Sequence, residues 1–313
     1  MSKILVTGGA GFIGSALVKK LAVSHDVVVF DNEFRGSFEN LSGINVEQIK
    51  GDITNFSDWE KLPNDIDSVF HFGAINGTGY FYTIPEQVLD VNVKGVVNMI
   101  DYVKKYSIKD VLFASSSEVY GFPTNFPTSE KEPIQIPTPL NPRYSYSGSK
   151  IIGELLCVNN SQKYNFRYTI VRYHNVYGPK MGHEHVIPQF VKKLVSSDDF
   201  TIQGDGQDTR SFCFIDDAID ATIMVHNDNT ITDRIFNIGN PEEVTILQLI
   251  KKLSDISGKN IQPKSTPQNN SGTKRRVPDI TKAESCGYSP KIPLIDGLKI
   301  TYDWYKTYYL NSH

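Results

Sequence analysis

A chain of 313 residues, 39% of them hydrophobic, can bury a substantial core and hold either one large domain or two interlocked ones. A formal net charge of −3 and an isoelectric point near 6.2 supply no basic field for an extended polyanion, so nucleic acid is excluded as a partner and phosphate recognition must be local. No apolar run reaches bilayer length and the first residues enter a strand directly, with no room for a signal peptide, so the expectation is a cytoplasmic protein with no membrane partner.

The opening run Lys3-Ile4-Leu5-Val6-Thr7-Gly8-Gly9-Ala10-Gly11-Phe12-Ile13-Gly14 sets a short apolar strand against a glycine-spaced turn that leads into an amphipathic helix. Glycines at 8, 11 and 14 allow a tight turn and bring bare backbone N–H groups up to a pyrophosphate, while the helix beginning at Phe12 and Ile13 offers its positive end to the same anion. A second strand, Asp26–Phe30, ends in Asp31, about 20 residues beyond the turn, where a carboxylate can accept both hydroxyls of an adenine ribose. The same charge repels a 2′-phosphate, which favours NAD over NADP; Asn32 is assigned to the cofactor beside it, and Arg35 lies close enough in sequence to soften the preference.

Further strands are expected at Val46–Gly51, Asp67–Phe72, Lys109–Ser116 and Arg167–Tyr173, separated by helical periodicity at Glu86–Tyr106 and Tyr144–Lys163. That alternation predicts an α/β fold: a doubly wound parallel (Rossmann) sheet covered on both faces, with ligands at the carboxyl ends of its strands. Asp52 and Ile53 then fall near the adenine, and Phe72, Gly73 and Ala74 along the same edge near the pyrophosphate.

Past Arg172 the pattern loosens at Pro179, Gly182, Pro188, Gly204 and Gly206, before a helix that Asp216 or Asp217 could cap; a polar stretch spans Asn260–Ile280. The expected division is an NAD-binding domain over residues 1–175, to which some later segments return, and a smaller α/β substrate lobe over 176–313, folded over the sheet edge. Cys157, Cys213 and Cys286 are widely spread, lack metal-ligand spacing and read as reduced packing residues. His183 and His185 flank Glu184 with no third ligand at recognisable spacing, so no metal is expected.

Tyr146 and Lys150 are four apart on one helix and emerge on the same face. A tyrosine with a pKa near 10 is a poor base at neutral pH, but a neighbouring ammonium and a positively charged nicotinamide both favour the phenolate. The strand end Ser115-Ser116-Ser117-Glu118 adds hydroxyls and one carboxylate at the same sheet edge, and one serine could hydrogen-bond a reacting alcohol.

Together with Ser115-Ser116-Ser117-Glu118-Val119-Tyr120-Gly121, Tyr146-Ser147-Gly148-Ser149-Lys150, Arg172–Pro179 and Arg210-Ser211-Phe212, the glycine motif resembles the extended branch of the short-chain dehydrogenase/reductase family, over nearly the whole chain. Members mostly modify sugars attached to nucleoside diphosphates. The resemblance implies that Ser116 polarises the substrate, Tyr146 is the base, and Lys150 binds the nicotinamide ribose and depresses the tyrosine pKa, with hydride moving between sugar carbon 4 and NAD. It makes Ser117 a substrate-binding residue, places Asn175 near the sugar diphosphate and Val186 and Ile187 under the nucleobase, and makes Arg210 and Arg276 diphosphate clamps. It also implies a homodimer through Glu86–Tyr106 and Tyr144–Lys163, or a tetramer of such pairs.

Ser117 stands where dehydratases acting on dTDP-glucose carry the aspartate of an acid–base pair, which favours a 4-dehydrogenase or epimerase acting on a hexose or heptose in surface polysaccharide assembly. Glu118 keeps a 4,6-dehydratase or decarboxylase open. A reading of another class is a non-catalytic dinucleotide sensor or scaffold, which would need the cradle but not the Tyr146/Lys150 geometry.

Overall fold

In the computed structural model, which describes residues 1–196, 200–267 and 273–311, the β-branched opening becomes β1 (Lys3–Thr7) and the glycine turn leads into α1 (Phe12–Leu21). There follow β2 (Asp26–Asp31), β3 (Glu47–Lys50), α2 (Phe56–Trp59), β4 (Ser68–His71), α3 (Thr78–Thr83), α4 (Pro85–Tyr106), β5 (Asp110–Ser116), α5 (Tyr144–Tyr164) and β6 (Arg167–Tyr173). The chain continues through β7 (Val176–Tyr177), α6 (Val186–Ser196), β8 (Thr201–Gln203), β9 (Thr209–Ser211), β10 (Cys213–Phe214), α7 (Ile215–Asn227) and β11 (Ile235–Ile238). It ends with β12 (Glu243–Thr245), α8 (Ile246–Ser257), β13 (Lys264–Thr266), β14 (Arg275–Arg276), α9 (Thr281–Ser285) and α10 (Leu294–Asn311). Among the described residues no helix is long and apolar enough to cross a membrane.

A seven-stranded sheet in the order β11-β6-β5-β4-β1-β2-β3 carries the expected α/β architecture, and its pairings from β6 to β3 are parallel. Both faces of a parallel sheet are covered by crossover helices, so its strands read as unbroken apolar runs; β4 is buried at every position. Leu5, Phe30, Val69, Val111 and Phe113 from the strands pack with Val96, Met99, Ile100 and Val103 of α4, whose three- and four-residue spacing forms one apolar stripe. Trp59 closes that core, donating its indole N–H to the Ile53 carbonyl at 2.9 Å.

The chain divides into two units: residues 1–121, 133–173 and 222–236 form the first, and 122–132, 174–221 and 237–313 the second. In the second, β9 lies between β12 and β14, β7 pairs with β10, and β8 with β13. Helix α8 starts on a reciprocal cap between Thr245 and Gln248 and buries Leu249, Ile250 and Leu253. Helix α7 begins at Ile215, so Asp216 and Asp217 lie in its first turn instead of capping it; the Asp217 carboxylate accepts the backbone N–H groups of Lys291 and Ile292, both at 3.0 Å. Of the polar stretch Asn260–Ile280, β13 and β14 are described, and residues 268–272 lie outside the described residues.

At the carboxyl edge of the sheet the ends of β1 and β4 are tied together. The Gly73 N–H donates to Thr7 Oγ1 at 3.2 Å, which turns the hydroxyl proton toward Nδ1 of His71, 2.8 Å away. His71 is buried, and burial first, with the Lys150 charge second, pulls its pKa from 6.5 down to about 3. The unfolded chain therefore binds a proton at this site between pH 6.5 and about 3 that the folded one refuses, so stability present above pH 6.5 is lost as the pH falls through that window. Replacing His71→Gln should flatten the fall in melting temperature between pH 7.5 and 4.5; an identical fall in variant and wild type, read by calorimetry, would clear His71 as its source.

Candidate active site

The first unit gathers the cofactor residues expected from the sequence on one sheet edge. Gly8 has φ +68°, and a Cβ added there would lie 2.6 Å from the Gly73 backbone nitrogen; one added to Gly14 would lie 2.2 Å from the Gly8 carbonyl oxygen. Helix α1 starts at Gly11 with no capping side chain and no acid in its first turn, leaving the N–H groups of Phe12 and Ile13 facing the turn without a protein anion. A cradle that any side chain would fill, beside an uncapped helix end, fits the pyrophosphate of NAD.

Asp31 is buried and accepts the N–H of Ala10 at 3.0 Å through one oxygen and that of Glu33 at 2.7 Å through the other. Burial raises its pKa against the pull of those two bonds. The carboxylate thus fixes the glycine turn as well as ending β2, and each oxygen keeps a lone pair for a further donor. Asn32 donates to Asp52 at 3.2 Å, and Ile53 lies beneath Gly73. Phe72 and Ala74 are half-buried at the end of β4. The Arg35 guanidinium is engaged by the Asn76 carbonyl and the Tyr80 ring, a different arrangement from the one expected next to Asp31.

On α5, Tyr146, Lys150 and Glu154 form a column at four-residue spacing, all buried. Tyr146 hydrogen-bonds Ser116 and stacks on Phe81 with ring centroids 4.9 Å apart. Lys150 Nζ donates to the Ala114 carbonyl at 2.8 Å and lies 5.7 Å from the Tyr146 ring centroid. Glu154 accepts from Ser115 at 2.5 Å and forms a buried, two-bonded pair with Arg172 at 2.6 and 2.9 Å. Burial raises the Tyr146 phenol above the ordinary tyrosine range, and the groups that pull it back are Ser116 and Arg35, not Lys150 as the spacing implied. The lysine is itself desolvated, with its pKa lowered to about 8.

Glu118 lies in a 3-10 turn, Ser117–Tyr120, that Ser116 caps by accepting the Glu118 N–H at 3.2 Å. Both Glu118 carboxylate oxygens accept from Arg143 Nη2, at 3.0 and 3.2 Å. Arg143 is not singled out by the sequence, since its spacing of 25 residues from Glu118 carries no periodic signal. Ser117 is buried behind this turn.

In the second unit, Arg210 and Arg276 stand directly across from one another on the parallel pair β9/β14, which puts both side chains on one face. Arg210 donates to the Thr209 and Lys274 carbonyls and Arg276 to Thr273. Asn175, at φ +40°, donates to the Ser211 carbonyl at 2.9 Å, next to Arg210. Val186 opens α6 half-buried, whereas Ile187 is fully buried in the core of this unit. His183 hydrogen-bonds the Tyr309 hydroxyl at 3.0 Å, and among the described residues no group of three His, Cys, Asp or Glu could hold a metal.

The model of the "NAD dependent epimerase/dehydratase family" matches residues 4–239. The UDP-N-acetyl-alpha-D-glucosaminuronate decarboxylase of Bacillus cytotoxicus is 34% identical over 318 residues, covering 97% of this chain and 98% of that protein. The UDP-glucuronic acid 4-epimerase of Bacillus cereus, solved with UDP-glucuronic acid and NAD, is 31% identical with a TM-score of 0.87, covering 98% of this chain and 100% of that one. The UDP-glucose 4-epimerase of Thermotoga maritima, solved with UDP-glucose, is 31% identical with a TM-score of 0.89, covering 98% and 99%. The chain belongs to the NAD dependent epimerase/dehydratase family, whose members are extended short-chain dehydrogenase/reductase enzymes acting on nucleotide sugars.

Proposed function

We propose that this protein oxidises carbon 4 of a UDP-linked sugar with Tyr146 as the base, and that the resulting ketone is either reduced from the other face or, in a uronate, first loses its neighbouring carboxylate as carbon dioxide, takes up a proton in its place and is then reduced by the same hydride. The observation carrying this reading is the buried Tyr146, bonded to Ser116 and one helical turn from a desolvated Lys150. Bound NAD, held by Gly8, Gly11–Gly14, Asp31 and the Phe72–Ala74 edge, supplies the hydride acceptor and a fixed positive charge. Ser116 Oγ orients the carbon-4 alcohol, and Tyr146 Oη takes its proton as the phenolate and later returns it. A buried ammonium carries a desolvation cost that a mere sensor or scaffold gives no reason to bear.

Glu118 argues against the third outcome, loss of the carbon-6 hydroxyl as water. Both of its oxygens are taken up by Arg143, which commits the carboxylate to an ion pair. Loss of carbon dioxide from a 4-keto uronate needs no acid at carbon 6, since electrons from the breaking bond enter the adjacent ketone. The decarboxylase named above supports this second reading. The facing Arg210 and Arg276 fit the diphosphate, whose oxygens two guanidinium forks on one strand face can hold with bidentate bonds. Production of surface polysaccharide is the role this chemistry would serve.

Incubating the protein with NAD and UDP-glucose, UDP-galactose, UDP-N-acetylglucosamine or UDP-glucuronic acid, then analysing products by mass spectrometry and NMR, should give a carbon-4 epimer or a pentose from which carbon dioxide has gone. A product lighter by one water would overturn the reading of Glu118. Tyr146→Phe should lower turnover by about 10²–10⁴-fold with NAD affinity unchanged; undiminished turnover would end its assignment as the base.

Leu89 and Val97 on α4 and Ile152 and Leu155 on α5 are exposed, Leu155 by 53%, on two helices packed side by side. We infer that a second copy of this chain covers them. Light scattering should give a dimer or a pair of dimers that Val97→Lys with Leu155→Lys reduces to monomers; a monomeric wild type would refute it.

A further inference from the structure

We propose that Arg35 is a positioning residue for Tyr146, clamping the segment that stacks on its ring and joining the phosphate cradle to the base. The proposal rests on the reading of Tyr146 given above. The Arg35 segment is fastened to the glycine turn: the Ser37 N–H and the Asn40 amide both donate to the Ala10 carbonyl, at 3.2 and 2.9 Å. Gly36 lies so close that an added Cβ would be 2.3 Å from that same oxygen. From this anchor the Arg35 side chain donates through Nη1 to the Asn76 carbonyl, and its guanidinium carbon lies 5.6 Å from the Tyr80 ring centroid. Phe34 adds a ring contact to Tyr80 at 5.8 Å.

Tyr80 packs against a small apolar cluster of Ile75, Phe81, Val88 and Tyr146, in which the Phe81 ring stacks on the phenol at an interplanar angle of 17°. The far end of this segment is held by buried Asn92, which bonds both the N–H and the carbonyl of Ile75 at 2.7 and 3.2 Å. Residues 75–81 are therefore held at Ile75 by a core amide and at Asn76 and Tyr80 by an exposed cation, with the base stacked on Phe81 at the end of the segment. The charged groups around Tyr146 are Glu118 with its partner Arg143 from the end of β5 and the start of α5, Lys150 on its own helix, and Arg35. Tyr82 contacts Arg143. Arg35 pulls the phenol down against burial and Glu118.

The test is an ultraviolet difference titration of tyrosinate in the NAD-loaded protein at low ionic strength, with the Tyr146→Phe spectrum subtracted. Arg35 is exposed, so its loss leaves no buried orphan group, and thermal unfolding checks that Arg35→Gln is folded. Removing one screened surface charge should raise the Tyr146 midpoint by about 0.5 pH unit in Arg35→Gln, and Arg35→Lys should restore it. An Arg35→Gln midpoint equal to that of wild type overturns the proposal while leaving the base in place. Turnover that Tyr146→Phe leaves undiminished ends the base assignment, and this proposal with it.

Discussion

The register of α5 against β5 is the constraint on which the chemistry depends. Tyr146, Lys150 and Glu154, one helical turn apart, meet Ser116, Ala114 and Ser115, three consecutive residues of one strand. Glu154 is further locked by Arg172 from the neighbouring strand β6, so the helix can neither rotate nor slide without breaking a buried ion pair. Leaving one member of such a pair buried and alone costs roughly 3–5 kcal/mol. The base is thus aimed by an interaction two turns away that touches no substrate.

The strands and helices of the first unit were legible because parallel strands buried on both faces and amphipathic crossover helices write themselves as apolar runs and stripes. Arg167–Tyr173 is a strand at its expected limits, and the Tyr144 helix runs one residue beyond its expected end. The glycine turn was readable from the acid that follows it. What stayed hidden were pairings over long separations: Arg143 with Glu118, Arg35 with Asn76, Arg172 with Glu154. No periodicity links such residues, since they meet only when the sheet is built. The same holds for Asp217, whose place beside other polar residues at a helix start looked like a cap but whose partners lie 74 and 75 residues away.

Burial works in opposite directions on the three groups around the proposed base. It raises the phenol, lowers the lysine and keeps the neighbouring His71 neutral. A tyrosine so placed is a weak proton acceptor until positive charge is brought near it, which joins readiness for chemistry to occupancy of the dinucleotide site. Glu118 works the same way on the phenol as burial does, while it is itself paired with Arg143.

The facing arginines of β9 and β14 have a mechanical side. Strand β14 is only two residues long, and one of its two paired positions sets arginine opposite arginine. A polyanion spanning the two arginines would rivet so short a seam. A ligand seated there would then be part of the second unit's architecture, its far end tightening the very strand that grips it.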